Sequence, residues 1–357
     1  MSVFVIAEAG VNHNGDIDIA KRLIDCAASS GADAVKFQTF VADLLVTKTA
    51  KQASYQEKNT NRQISQHQML KELELSFDAY QRLSEYCKEV GIEFMSTAFD
   101  SLSLKFLTQD IGLNRLKVPS GDITNAPFLF EHARTGADLI LSTGMSTISE
   151  IRSALSVIAL GYAGSGILTG RGEIPILDRN DIQAQLAEKV VLLHCTTEYP
   201  APLETINLKA IGTLSAEFGL SVGYSDHSEG DLVSIAAVAQ GAQVIEKHFT
   251  LDREMEGPDH KASMEPQALR KLITSIREVE IALGDGIKAP LGIENQNKKV
   301  ARKSLVAAAT IKKGEPLTED NMAVKRPGTG VSPFEYWSML SMQAHRDYAE
   351  GDLLEKE

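Results

Sequence analysis

Long apolar runs, paired cysteines and clusters of basic residues are all missing from this chain of 357 residues. No run approaches the roughly 20 apolar residues of a membrane-spanning helix, and the start of the chain lacks the basic head of a signal peptide. The three cysteines, Cys26, Cys87 and Cys195, have no metal-binding or redox spacing. These absences predict a cytoplasmic protein with reduced cysteines and no membrane partner.

The formal net charge is −12, which disfavours one large class of partner. A broad nucleic-acid surface needs clustered Lys and Arg, so we expect no nucleic-acid binding. A small anionic substrate remains compatible with this charge, because a few buried cations suffice locally.

Short apolar segments alternate with helix-like segments over the first three quarters of the chain. The predicted strands are 3–7, 33–38, 93–97, 116–118, 139–141, 190–193, 221–224 and 244–245. Eight parallel βα units close into a TIM barrel of about 250 residues, so we predict an α/β protein with a (β/α)8 barrel. An open doubly wound sheet ranks lower, because no Gly-x-Gly-x-x-Gly motif follows the first strand.

The pattern of the sequence changes near residue 284. We predict that residues 1–284 form the barrel, that 285–299 form a linker and that 300–357 form a small β-rich domain. The polar segment 40–67 is predicted to be a long irregular loop that covers the barrel mouth.

Polar residues gather at the carboxyl ends of the predicted strands, where TIM barrels build their active sites. They are Glu8, Lys36, Gln38, Thr97, Lys117, Ser120, Asp122, Ser142, Thr197, Tyr199, Ser225, His227 and His248, with Asp259 on the loop beyond. Any one of them could be a helix cap or a solvated side chain. Their recurrence on one rim favours an active site.

Two lysines and two histidines carry most of this prediction. Lys36 and Lys117 lie within or beside buried strands, so each should meet an anion unless it reaches the rim or pairs with a carboxylate. His227 and His248 could hold one divalent ion through neutral imidazoles, and the alternative is two core histidines bonded to the backbone. We favour Mn²⁺, with Mg²⁺ or Co²⁺ as alternatives.

Carboxylates and one arginine complete the candidate set. Glu8, Asp122 and Asp259 could serve in acid–base chemistry or bind sugar hydroxyls. Arg326 precedes a Pro-Gly turn, and a guanidinium fixed there suits a carboxylate or carbonyl group. A surface arginine is the commoner case.

Nine motifs in order resemble the sialic acid synthase family, and together they span nearly the whole chain. They are AEAGVNHNG at 7–15, VKFQT at 35–39, STAFD at 96–100, KVPSGD at 117–122, LSTGM at 141–145, HCTTEYP at 194–200, GYSDH at 223–227, EKHFT at 246–250 and GPDH at 257–260. The tail, with KRPG at 325–328, is similar to the antifreeze-like (SAF) domain that those enzymes carry.

The resemblance implies a specific condensation. Phosphoenolpyruvate would react with the open-chain aldehyde of an N-acylated mannose-type sugar, either N-acetylmannosamine or 2,4-diacetamido-2,4,6-trideoxymannose. Carbon-3 of phosphoenolpyruvate attacks the aldehyde, water adds to the resulting cationic centre, and phosphate leaves. The product is a nine-carbon 2-keto acid of the sialic or legionaminic type. The resemblance also implies a domain-swapped homodimer.

The same resemblance implies a role for each candidate residue. Catalytic roles fall to Glu8 and Asp122, and metal binding falls to His227 and His248. Positions that match phosphoenolpyruvate contacts are Lys36, Thr97, Lys117, Ser120, Ser142, Thr197 and Ser225. Positions that match sugar contacts are Glu8, Gln38, Tyr199, Asp259 and, from the partner subunit, Arg326.

Two positions depart from the family pattern, and two other functions stay open. Asp122 stands where many members carry Glu, which retracts the carboxylate by roughly one bond length. Thr197 stands where some members carry Asn, so its phosphate contact is less secure. The alternatives are a pyruvate aldolase or lyase, with a Schiff-base lysine or a metal, and a non-catalytic carbohydrate-binding protein.

Overall fold

The computed structural model describes residues 2–60, 62–164, 177 and 179–356. Eight parallel strands form a closed barrel in which each strand pairs with its neighbour in sequence and the eighth pairs with the first. The strands are β1 (Phe4–Gly10), β2 (Ala34–Thr39), β3 (Glu93–Ala98), β4 (Arg115–Val118), β5 (Asp138–Ser142), β6 (Val190–Cys195), β7 (Ser221–Asp226) and β8 (Val244–His248). The predicted TIM-barrel fold is confirmed, and the doubly wound sheet is wrong.

Side chains along each strand alternate between the barrel interior and the helical layer, as the period of two requires. One interior layer is apolar and consists of Ile6, Ala34, Met95, Ile140, Leu193 and Val244. The residues two positions further along the same strands are Glu8, Lys36, Thr97, Ser142, Cys195 and Glu246. The barrel therefore has an apolar plug beneath a polar layer at the carboxyl ends of its strands.

Helices follow and surround the strands of the barrel. They are α1 (Ile17–Ser30), α2 (Ala42–Leu45), α3 (Ser54–Thr60), α4 (Gln66–Leu73), α5 (Phe77–Val90), α6 (Ser101–Lys105), α7 (Ala126–Arg134), α8 (Ile148–Tyr162), α9 (Asn180–Lys189), α10 (Ala210–Phe218), α11 (Leu232–Ala239) and α12 (Pro266–Leu283). The first shows the local logic: the Asp16 side chain accepts hydrogen bonds from the first turn, and Gly31 ends the helix at a φ of 87°.

The segment 40–67 is more regular than the sequence predicts. Three short helices, α2, α3 and the start of α4, occupy nearly half of it. Ser65 caps α4 by accepting a hydrogen bond from Gln68 N, and the buried face of that helix packs beside Phe40. The prediction of an irregular loop is therefore only partly right: short helices interrupt the segment, and Ala42, Val46 and Ile64 add to the apolar cluster around Phe40.

The chain divides into two compact units, Met1–Gly284 and Asp285–Glu357. The second unit contains helix α13 (Gly292–Ala301), an antiparallel pair of strands, β9 (Ser304–Ala307) and β10 (Met322–Lys325), and the short helix α14 (Tyr336–Met339). Its own core includes Leu305, Ile311, Leu317, Met322, Met339, Tyr348 and Leu354. Much of the segment predicted as a linker is therefore helical. No helix in the described ranges is long and apolar enough to cross a membrane.

Candidate active site

One pocket of about 190 Å³ lies at the carboxyl ends of the strands, and every strand of the barrel contributes to its wall. Its lining includes all the candidate residues of the sequence analysis except Asp122, Asp259 and Arg326. The lining residues are Glu8, Lys36, Gln38, Thr97, Phe99, Lys117, Pro119, Ser120, Gly121, Ser142, Cys195, Thr197, Tyr199, Ser225, His227, Glu246 and His248. The barrel thus brings residues from distant parts of the chain into one site.

Two buried lysines and two buried carboxylates form the floor of the pocket. Lys36 Nζ lies 2.5 Å from Glu8 Oε2 and 3.5 Å from Glu246 Oε2. Lys117 Nζ lies 3.6 Å from Glu246 Oε1 and donates to Ser142 Oγ at 2.7 Å. Each ammonium is thereby paired, which is the condition for burying such a charge.

The pKa values of three groups on the floor, Glu8, Glu246 and Lys117, are shifted by burial and by neighbouring charges. Burial raises the pKa of Glu8 to about 7 against the opposing charge of Lys36. Burial also acts on Glu246, but Lys117 and Lys36 lower the pKa of that carboxyl to about 2. Burial lowers the pKa of Lys117, and Glu246 only partly opposes it. Lys117 is therefore the cation whose charge an incoming anion would stabilise most.

Hydroxyl groups border the two lysines. Lys36 Nζ donates to Thr97 Oγ1 at 3.1 Å, and Ser225 Oγ donates to Glu246 Oε1 at 2.7 Å. Ser120 Oγ accepts a hydrogen bond from the backbone N–H of Gly144 at 3.0 Å. Donors of this kind, arranged around buried ammonium groups, suit phosphate and carboxylate oxygens.

The two candidate metal ligands, His227 and His248, lie on the same side of the pocket, with ring centroids 5.7 Å apart. His227 Nδ1 donates to the backbone oxygen of Thr196 at 2.7 Å, which leaves Nε2 as the unprotonated nitrogen. His248 Nδ1 is buried and has no hydrogen-bond partner among the described residues. Burial lowers the pKa of both imidazoles, so both are neutral, which is the form that binds metal ions.

These observations fit a divalent ion held by two imidazoles. No third His, Cys, Asp or Glu completes a metal-binding cluster within the part of the chain that the structure describes. A two-histidine site would take its remaining ligands from substrate oxygens and water.

An aromatic stack borders the histidines. The Tyr199 ring lies 4.1 Å from the His227 ring and 5.7 Å from that of His248. The same ring stacks on Tyr55, from helix α3, with centroids 5.1 Å apart. Asn59 of the same helix donates to the backbone oxygen of Pro258 at 2.7 Å, which attaches α3 to the loop after β8.

Three predicted residues lie outside the pocket wall. Asp122 is on a 3-10 turn, where its Oδ1 accepts a hydrogen bond from Asn125 and burial raises its pKa. Asp259 is buried, and this raises the pKa of its carboxyl to about 6. Arg326 is exposed in the second unit, where its Nε donates to the backbone oxygen of Ala301 at 3.0 Å. Their roles stay predictions.

Among the pocket residues that the sequence analysis did not select as candidates, two have titratable side chains, Glu246 and Cys195. Glu246 and Cys195 both face the interior, two positions along their strands from the apolar plug. The signal was present in the sequence, since Glu246 shares the face of His248 at a spacing of two. Its neighbour Lys247 faces the opposite way and pairs with Asp226 at 2.9 Å in the buried layer behind the strands.

The fold and this site are those of a TIM-barrel enzyme with two buried lysines in a pocket at the carboxyl ends of its strands. A family model described as the NeuB family matches residues 23–288, and one described as the SAF domain matches residues 302–357. The chain belongs to the NeuB family, and it is an enzyme of the sialic and legionaminic acid synthase type.

Individual relatives agree with this assignment over nearly their whole length. The N,N'-diacetyllegionaminic acid synthase of Campylobacter jejuni subsp. jejuni is 47% identical over 350 residues, which cover 98% of either chain. That of Legionella pneumophila subsp. pneumophila is 44% identical, over 99% of this chain and 94% of the relative. The crystal structure of N-acetylneuraminic acid synthetase from Leptospira borgpetersenii has a TM-score of 0.67 and is 33% identical, over 83% of this chain and 90% of that one.

Proposed function

We propose that this enzyme condenses phosphoenolpyruvate with an N-acylated mannose-type sugar and releases phosphate and a nine-carbon 2-keto acid. Between the two candidate sugars we favour 2,4-diacetamido-2,4,6-trideoxymannose, because two relatives that align over nearly the whole chain are named N,N'-diacetyllegionaminic acid synthases. The observation that carries the proposal is the pair of buried lysines among hydroxyl groups on the floor of the pocket.

In this proposal phosphoenolpyruvate lies on the floor with its phosphate and carboxylate near Lys36 and Lys117. Lys36 keeps its charge because Glu246 and Glu8 together outweigh the effect of burial on its pKa. Lys117 has a pKa lowered by burial, and a bound anion would raise that pKa and stabilise its charge. The hydroxyls of Thr97 and Ser142 accept from the two lysines, so their own protons would be available to substrate oxygens. Ser225 would have to turn from Glu246 to donate in the same way.

Glu8 is the residue best placed to move a proton near neutral pH. Its pKa of about 7 lets it hold a proton before the reaction and give it up during it. A Cβ built on Gly10 would lie 3.3 Å from Glu8 Oε1, 3.4 Å from Gln38 Nε2 and 3.5 Å from His248 Cε1, so these three groups are close neighbours. We infer that Glu8 protonates the aldehyde oxygen as carbon-3 attacks, while Gln38 orients the sugar.

His227 and His248 would hold the divalent ion, with Mn²⁺ as our first choice. The ion would supply Lewis acidity for the aldehyde carbonyl. Tyr199 packs against His227 and lines the pocket, so it would both support that imidazole and contact the sugar.

Arg326 would complete the sugar site from the partner subunit of a domain-swapped dimer. Its Nε bond to Ala301 fixes the side chain, and its two terminal nitrogens have no partner among the described residues. A guanidinium held in this way can bind the carbonyl oxygen of an N-acyl group.

A phosphate-release assay over a panel of sugars tests the activity. Phosphoenolpyruvate is supplied with 2,4-diacetamido-2,4,6-trideoxymannose, N-acetylmannosamine or mannose, each with Mn²⁺ or with a chelator. We expect the fastest release with the diacetamido sugar, none with mannose and none with the chelator. Lys117→Met should abolish release, and the matched control Lys189→Met, on the outer helix α9, should keep it. Absence of phosphate release with every N-acylated mannose would refute the proposal.

Borohydride trapping separates the main rival, a Schiff-base aldolase. We expect no borohydride-stable adduct with pyruvate, because both floor lysines already engage carboxylates or hydroxyls. A pyruvate adduct on Lys36 or Lys117 by mass spectrometry would favour the aldolase instead.

Mixing two inactive variants tests the contribution of Arg326 in trans. Lys117→Met has an intact arginine and a defective floor, and Arg326→Ala has the reverse. If Arg326 serves the partner's barrel, unfolding and refolding the two together restores activity in the mixed dimers. Arg326→Ala with full activity, or no recovery in the mixture, would refute the swapped arrangement.

A further inference from the structure

Four residues from three successive strand ends form a polar niche beside the pocket floor, defined here as Ser120, Gly144, Cys195 and Thr197. Cys195 Sγ lies 3.2 Å from Ser120 Oγ. A Cβ on Gly144 would lie 2.5 Å from Thr197 Oγ1, 2.8 Å from Ser120 Oγ and 2.9 Å from Cys195 Sγ. Three side-chain heteroatoms therefore converge on one α-carbon, at a position where any larger residue would displace them.

The hydrogen bonds of Ser120 determine where its proton points. A serine hydroxyl has one proton and two acceptor lone pairs. The Gly144 N–H already occupies one lone pair at 3.0 Å. If the Cys195 thiol donates to the second, the Ser120 proton is left for a group in the pocket. Either atom can be the donor in the free enzyme. An oxyanion in the pocket accepts more strongly than sulfur, so a bound anion would take the Ser120 proton and leave the thiol as the donor.

We propose that Cys195 is a positioning residue that turns the Ser120 hydroxyl toward an oxyanion in the pocket. This inference rests on the proposed function, in which the oxyanion is the phosphate group of phosphoenolpyruvate. Cys195 faces the pocket and is 5% exposed, so its thiol acts through Ser120. Thr197, the fourth residue of the niche, would supply a second hydroxyl donor.

The size of sulfur matters to this arrangement. The C–S bond is longer than a C–O bond, so a thiol reaches Ser120 where a serine at the same position would fall short. Cys195→Ser keeps a donor at a longer distance and should therefore recover part of the function. Cys195→Ala removes the donor and leaves Ser120 free to rotate.

Calorimetric titration of phosphoenolpyruvate and of inorganic phosphate tests the niche. We expect Cys195→Ala to weaken binding of both ligands on the order of three- to tenfold, the cost of one misdirected hydrogen bond. Cys195→Ser should lie between that variant and the wild type. In a Ser120→Ala background, Cys195→Ala should cause no further weakening, because the thiol acts only through that hydroxyl. The KM for the sugar should change less than twofold.

Cys87→Ala is the matched control, since Cys87 is a buried thiol on α5 outside the pocket. It should leave the affinity for both anions unchanged. Unaltered anion affinity in Cys195→Ala, or an equal loss with and without Ser120, would overturn the positioning role. A wild type that binds phosphate through this niche but never consumes phosphoenolpyruvate would keep the niche and reject the proposed function. If the wild type consumes phosphoenolpyruvate but Cys195→Ala binds both anions normally, the proposed function stands and the positioning role of Cys195 is rejected.

Discussion

Replacing Asp259 with Asn should stabilise the barrel at neutral pH while it lowers activity. Burial of Asp259 in the loop after β8 raises the pKa of its carboxyl to about 6 from an ordinary 3.8. The native state therefore disfavours the ionised carboxylate relative to the unfolded chain. Asn has nearly the same shape without the charge, so the substitution removes this cost.

The magnitude follows from the size of the pKa shift. Each pKa unit corresponds to about 1.36 kcal/mol, so the full penalty is about 3 kcal/mol. Below about pH 3 the carboxyl is protonated in both states, and the penalty is absent. It grows as the pH rises, reaches about half its value near pH 5 and is complete by about pH 8.

Urea unfolding of the wild type and of Asp259→Asn, at about pH 5 and at about pH 8, measures the effect. The free energy of unfolding of the variant should exceed that of the wild type by up to about 3 kcal/mol at about pH 8 and by about half as much near pH 5. Asp110→Asn, which alters an exposed carboxylate of the same unit, should show no such gain. A variant no more stable than the wild type at the higher pH would refute the reasoning.

Further predictions concern the layer behind the pocket, the histidines and the aromatic stack. Lys247→Met should lower the free energy of unfolding by about 3–5 kcal/mol, because it leaves the Asp226 carboxylate buried without its cation. Adding Asp226→Asn should recover part of that loss in urea titrations, because the amide is uncharged and keeps an acceptor for Ser228 and Ser234. His227→Ala should abolish both turnover and Mn²⁺ binding in calorimetry with an unchanged circular dichroism spectrum, and near-normal turnover would contradict the metal assignment. Tyr55→Ala should raise the KM for the sugar several-fold and leave that for phosphoenolpyruvate unchanged, because its ring supports Tyr199; an equal rise in both would indicate general loosening of the mouth.

The barrel was predictable because buried parallel strands are short apolar runs between helices. The same rule explains why the ends of the strands were underestimated. β7 continues through Ser225 and Asp226, and β8 through His248, since the ladder pairs Ser225 with Glu246 and Asp226 with Lys247. Polar residues at these positions are typical of loops, although the hydrogen bonds between the two strands continue through them.

The candidate site was predictable as a set, but the direction of each side chain was not. Adjacent residues on a strand face opposite ways, so Glu246 joins the pocket while Lys247 pairs behind it. Assigning these faces needs the register of the barrel, which fixes which residue follows the apolar plug. Burial was equally hidden: nothing in the local sequence around Asp259 indicates that its carboxyl is almost fully enclosed.

Calorimetric titration of phosphoenolpyruvate at about pH 8, in buffers of different ionisation enthalpy, tests most directly whether the barrel floor is a substrate anion site. Bound anion should raise the pKa of Lys117 and of Glu8, so binding should take up protons and its heat should depend on the buffer. Lys117→Met should bind more weakly and take up fewer protons. Absence of binding, or binding with a heat that is the same in every buffer, would contradict the assignment of the floor.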